Sequence, residues 1–171
     1  NQDEVDFSKS QAVDTHTCIF ARIGRGAMKF TLELLINKPR LEVWKAFDNP
    51  KNMYRWQPSL IAVESLSGAP GQPGAVSKLT YTGNEQEFSL IEKVIYRDEP
   101  NRLDGVYENN FADNTVRNTF IEKSREQTLW VVETKFKFKT LIMQVMGPLM
   151  KKKFVARTQK DMERFKAMVE G

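Results

Sequence analysis

Alternation of apolar and polar positions begins at Met28. Phe30, Leu32, Leu34 and Ile36 fall on one side, with Lys29, Thr31 and Glu33 on the other. Successive strand side chains point to opposite faces, so this period predicts a half-buried strand. Asn37-Lys38-Pro39 breaks it, and Pro39 suits the start of a helix carrying Leu41, Val43, Trp44 and Phe47, where a missing N–H costs nothing. Asp48-Asn49-Pro50 stops that helix, and Met53, Tyr54, Trp56 and Leu60 form a second short one ending near Pro58. Further strands are predicted over 61–66, 76–82, 87–97, 102–110, 115–123 and 128–139. Turn signals separate them at Gly68 to Gly74, Asp98-Glu99-Pro100, Ala112-Asp113-Asn114 and Ser124 to Gln127. Such short links predict an antiparallel meander.

The period changes at the C-terminal end. From Pro148 to Glu170, Met150, Phe154, Thr158, Met162, Phe165 and Val169 recur at three- and four-residue spacing, which predicts a long helix with one apolar stripe. Gly147 is expected to end whatever precedes, and Pro148 to open the helix. The order of strand, two short helices, six strands and long helix predicts one α+β domain over residues 28–171. In it, a curved seven-stranded antiparallel sheet wraps the C-terminal helix. Residues 1–27 are polar and non-periodic and read as an added or disordered leader; the alternative is an arm docking through Cys18, Ile19 and Phe20.

Composition narrows the function classes. The 171 residues are 40% hydrophobic and 28% charged, which suits one domain with a real core. A net charge of +4 lacks the concentrated basic surface of a nucleic-acid binder, so no nucleic-acid partner is expected. The single cysteine excludes an intramolecular disulfide and fits a reducing, cytoplasmic setting. The most apolar stretch, Leu141 to Met150, is too short to span a membrane. Asp3, Glu4 and Asp6 do not resemble the basic start of a secretory signal.

The only histidine, His16, and the only cysteine, Cys18, lie in the leader. The domain therefore has no Ser-His-Asp or Cys-His arrangement and no imidazole base, and no metal or other cofactor is expected. Gly68 to Gly74 resembles a phosphate-cradling loop only in glycine content, because no Gly-Lys-Ser/Thr follows and the next element is a strand.

Strand phase gives an inner face of Phe30, Leu32, Leu34, Leu79, Tyr81, Tyr107, Phe120, Trp130, Val132, Phe136 and Phe138, with Asn109, Asn118 and Thr134 in the same phase. Two readings stand, a solid core and an apolar pocket. Sparse polar groups in an aromatic wall favour a pocket that orients a small molecule. Trp56, Phe154 and the methionines Met143, Met146 and Met150 complete the candidate cavity, the last three either filling core or forming a lid. Glu92 is buried if Phe88, Leu90 and Val94 face inward, which would raise its pKa; the opposite phase buries Ile91 and Ile95 and leaves Glu92 in water. Glu92, Tyr107 and Asn118 are the candidate catalytic groups. Leu141 to Lys153, an apolar segment followed by Lys151, Lys152 and Lys153, is a candidate membrane-surface contact.

Several local motifs carry a family resemblance. Ile36-Asn37-Lys38-Pro39-Arg40-Leu41-Glu42-Val43-Trp44 at the first strand-to-helix junction, Trp56-Gln57-Pro58, Glu108 to Phe120, Thr128 to Phe138 and Thr158 to Glu170 occur in the order found in the START-like, helix-grip superfamily. Within it, they most resemble the bacterial polyketide cyclase/dehydrase-like proteins. The resemblance spans nearly all of 28–170 and implies a sheet gripping the long helix around a cavity for a lipid, polyketide or other apolar molecule. It does not select an activity: carrier or sensor, cyclase or dehydratase, and interaction module all remain, for a monomer or homodimer.

Overall fold

The computed structural model describes residues 27–83 and 86–171. The alternation from Met28 becomes β1 (Ala27–Ile36), followed by α1 (Arg40–Asp48) and α2 (Pro50–Trp56). Six strands follow: β2 (Leu60–Ser67), β3 (Val76–Gly83), β4 (Gln86–Asp98), β5 (Arg102–Glu108), β6 (Ala112–Ser124) and β7 (Gln127–Phe138). The chain closes with α3 (Leu141–Leu149) and α4 (Lys151–Glu170). The expected leader, with His16 and Cys18, lies outside the described residues.

All neighbouring strands pair antiparallel in the order β1-β7-β6-β5-β4-β3-β2. Strands β2 to β7 are a simple meander, and β1 lies beside the last strand rather than the first of that run. The two short helices therefore carry the chain from one edge of the sheet to the other. The far edge, β2, is irregular, with register shifts between Leu60 and Ala62 and between Ser65 and Ser67.

Twenty residues at 1.5 Å each make α4 about 30 Å long, enough to cross the sheet. It packs on β1, α1 and α2, burying Met162 and Phe165. Phe165 meets an aromatic cluster centred on Phe47 of α1. The Phe47 ring lies 5.0 to 6.0 Å from Phe120, Trp130, Phe165 and Trp56. Three of these four are edge-to-face contacts, each worth roughly 0.5–1.5 kcal/mol beyond the area buried. On the rim, Arg97 grips both Asp48 carboxylate oxygens at 2.6 and 2.7 Å, donates to the Gly71 carbonyl and stacks on Trp44.

Leu60, expected in the second short helix, instead begins β2, and two further boundaries differ from the sequence reading. The expected helix from Pro148 is two helices joined at Met150, and Gly147 and Pro148 belong to α3. A cap absent from the periodicity argument starts α3: the Met143 N–H donates to the Thr140 hydroxyl at 3.2 Å. Gly147 does not end a helix but admits the Phe138 ring, which occupies the space a Cβ would need. The turn expected at Ala112-Asp113-Asn114 falls earlier. Asn109 Oδ1 accepts the Phe111 and Ala112 N–H groups, both at 2.8 Å, so the chain reverses there and Ala112 already begins β6.

Gly147→Ala should drive a methyl into Phe138 and lower stability by about 1–3 kcal/mol, seen as a reduced urea midpoint. Phe138→Leu in the same chain should restore part of it. An unchanged midpoint in the single variant would refute the close approach.

Candidate functional site

Between the inner face of the sheet and α4 lies a cavity of about 300 Å³. The period-two alternation builds most of its wall. Leu79 and Tyr81 come from β3, Phe88 and Leu90 from β4, Tyr107 from β5, Asn114, Val116 and Asn118 from β6, and Trp130, Val132 and Phe136 from β7. Phe47, Met53, Trp56 and Gln57 close one side, and Phe154, Arg157, Thr158, Asp161 and Met162 of α4 the other. Asn109 and Ala112, at the β5–β6 turn, complete it.

Most polar groups of the wall are already partnered. The Tyr81 hydroxyl donates to Gln57 Oε1 at 2.8 Å. The Trp130 indole N–H donates to Asn118 Oδ1 at 3.2 Å, and Asn118 Nδ2 reaches the Leu103 carbonyl at 3.5 Å. Arg157 donates to the Ser59 hydroxyl at 2.8 Å and lies over the Tyr81 ring. Two groups differ: the Trp56 indole N–H and the Asn114 amide oxygen are buried with no partner among the described residues. Each such atom costs on the order of 1–3 kcal/mol unless a ligand or water meets it.

Of the cavity residues expected from sequence, Trp56, Leu79, Tyr81, Tyr107, Asn109, Asn118, Trp130, Val132, Phe136 and Phe154 lie in this wall. The others do not. Leu32 and Phe120 are wholly buried in the solid core, with Leu34 packed against it, because β1 and the α1-facing end of β6 lie where helices press directly on the sheet. Thr134 is buried opposite Phe30 and Val116 but is not part of the cavity wall, although Val116, Val132 and Phe136 around it are. Met143 packs on that core, Met146 is 46% exposed, and Met150 forms the joint between α3 and α4, so this trio is no lid over the cavity.

The two phases open for β4 are now decided. Phe88, Leu90, Glu92 and Val94 share the inner face, whereas Ile95, expected inside in the other phase, is 50% exposed at a register shift between Val94 and Tyr96. Glu92 sits directly across from Tyr107. Desolvation pushes the Glu92 carboxyl above the ordinary 4.5, with hydrogen bonding from Tyr107 opposing the rise. Burial likewise drives the Tyr107 and Tyr81 hydroxyls upward, reinforced by the Glu92 charge. Glu92 nevertheless stands beside the cavity rather than in its wall.

Sequence reasoning missed Phe88 and Leu90 because the β4 phase was open, and Asn114 because it was assigned to a turn. It missed Arg157 and Asp161 because both flank the apolar stripe of α4; their spacing from Phe154, three and seven residues on, was the available signal. Among the described residues, no group of three or more His, Cys, Asp or Glu side chains gathers to hold a metal ion. Nor is any described helix long and apolar enough to cross a membrane.

Because the folded state prefers protonated Glu92, this residue's stabilising contribution is complete below pH 4.5 and is lost as pH rises through its elevated value. Glu92→Gln should therefore be more stable than the parent at pH 8, with the difference vanishing near pH 4. Urea midpoints for both proteins across that range check this; parallel curves would place Glu92 in water.

No family model matches the chain, and no curated protein matches it in sequence. Solved structures do match in fold. A START superfamily protein from Mycobacterium smegmatis superposes with a TM-score of 0.70 at 16% identity, covering 83% of this chain and 97% of its own. An aromatase/cyclase from a Streptomyces species gives 0.70 at 11% identity, covering 84% and 94%. Norcoclaurine synthase from Thalictrum flavum gives 0.64 at 12% identity, covering 86% and 97%. The open seven-stranded sheet and the long C-terminal helix are common ground, and the chain has the helix-grip fold.

Proposed function

We propose that the protein binds a small apolar or aromatic molecule, lipid- or polyketide-like, in the cavity between sheet and α4, as a cytoplasmic carrier or sensor without covalent chemistry. One observation carries the reading: an aromatic-walled cavity includes two residues, Trp56 and Asn114, whose buried donor and acceptor have no partner among the described residues. An apolar wall supplies affinity, and a few fixed polar groups supply orientation.

A cyclase- or dehydratase-type reaction in the same cavity is the alternative, and one structural neighbour is an aromatase/cyclase. Glu92 and Tyr107 would be its acid-base pair. The support is weaker, because Glu92 lies outside the cavity wall and Asn118 is engaged by Trp130 and Leu103.

A further reading attaches to α3. Leu141, Ile142, Val145 and Leu149 are 71 to 80% exposed, and Lys151 to Lys153 follow at once. Lys29 and Lys135 are cross-strand partners at the same end of the sheet, with Lys137 beside them. An apolar helix bordered by lysines suits the surface of an anionic bilayer, where each cation contributes about 1 kcal/mol.

Native mass spectrometry of gently purified protein should show an extra mass that disappears on denaturation. The neutral probe N-phenylnaphthylamine should bind the emptied protein, and Val116→Phe, which fills the cavity, should weaken it at least about tenfold, the factor for 1.4 kcal/mol. A bare native mass together with no probe binding would overturn the reading. For α3, the protein should float with vesicles containing phosphatidylserine but not with phosphatidylcholine alone. Leu141→Ser with Val145→Ser should abolish flotation; indifference to either change would remove the membrane reading.

A further inference from the structure

Beside the cavity runs a second depression, about 410 Å³, between the α2–β2 connection and α4. Lys153, Arg157, Lys160 and Arg164 line it, at spacings i, i+4, i+7 and i+11, which place four cations in one stripe along the helix. Ser59 faces them from the connection. Asp161 is the one carboxylate in the lining, and Arg164 already holds it at 2.9 Å. Glu163, on the adjoining flank, accepts from Gln159. Among the described residues, Lys153, Arg157 and Lys160 form no ion pair, so the depression keeps uncompensated positive charge.

A charged stripe on a helix is ordinarily a solvated face. Here the geometry goes further, because Arg157 and Asp161 line both the apolar cavity and the basic depression. Arg157 is also fixed in place. Its guanidinium stacks 5.4 Å from the Tyr81 centroid and 6.0 Å from that of Phe88, and it donates to Ser59 Oγ at 2.8 Å. A cation held over cavity-wall aromatics, at the junction of an apolar hollow and a basic one, matches a molecule with two ends.

We infer that the cavity's ligand is an anionic amphiphile whose apolar body lies against Tyr81 and Trp130, and whose carboxylate or phosphate seats on Lys153, Arg157 and Lys160. This rests on the binding function proposed above and adds the chemical class. The cavity is at the small end of ligand pockets, so the fit is to a single-chain or ring-based anion rather than a two-chain bilayer lipid.

The test compares decanoate, decyl phosphate and decanol as competitors of N-phenylnaphthylamine at pH 8 and low salt. Either anion should outcompete decanol by about tenfold or more, the factor expected of one charge-assisted hydrogen bond. The advantage should shrink as salt is raised. The double variant Lys153→Gln/Lys160→Gln, whose changed residues lie outside the cavity wall, should lose most of the anion preference and still bind decanol. A circular-dichroism melt confirms that it folds. Equal competition by decanol and the anions would overturn the anionic head while leaving the binding function standing. An anion preference that survives in the double variant would overturn its placement on this stripe. Failure of the neutral probe and decanol to bind at all would overturn the binding function and this inference with it.

Discussion

The position of Phe47 decides much of this structure. Its ring touches four other aromatic rings contributed by α2, β6, β7 and α4, so a single side chain on a nine-residue helix fixes how the helical layer meets the sheet. Edge-to-face contacts are directional and tolerate little sliding, which sets the depth at which Phe165, and with it α4, comes to rest. Arg97 reinforces the arrangement from outside by tying the end of α1 to the β2–β3 loop.

That packing also accounts for the cavity. The rings are densest where β1 and the α1-facing ends of β6 and β7 lie under α1 and α4, and there the interior is filled. Toward β3, β4 and β5, the inner positions are Leu79, Leu90 and Tyr107, and no helix lies directly on them with comparable aromatic bulk. The sheet continues while its covering layer thins, and a hollow is the geometric result. Polar residues are accommodated there by pairing with one another, Tyr81 with Gln57 and Trp130 with Asn118, which fixes side chains that would otherwise rotate freely.

Much of this was legible in the sequence. Period-two alternation located the seven described strands, proline and asparagine punctuation located α1 and α2, and strand phase picked out eight of the residues that line the cavity. What escaped was decided by single interactions that periodicity does not encode. Asn109 closed a turn through its own side chain, and Thr140 capped a helix that composition alone presented as an apolar run. The phase of β4 was ambiguous because it alternates Phe88 and Leu90 against Ile91 and Ile95, so both faces look apolar; only pairing with β3 and β5 decides between them. Residues such as Leu32 and Phe120 have the right phase for a cavity and the wrong neighbours, since inward orientation does not distinguish a filled interior from an empty one.

An open sheet leaves two outer rows of backbone donors and acceptors, and an unpaired row of that kind can template a strand from another molecule. In β2 the two register shifts leave only Ala62 to Ser65 running regularly, and Glu64 adds a charge in the middle of that stretch. Four residues offer an incoming strand too few ladder bonds to offset the entropy of ordering it. The irregularity at this border thus acts as a guard against self-association through the sheet, in a protein whose meander would otherwise extend.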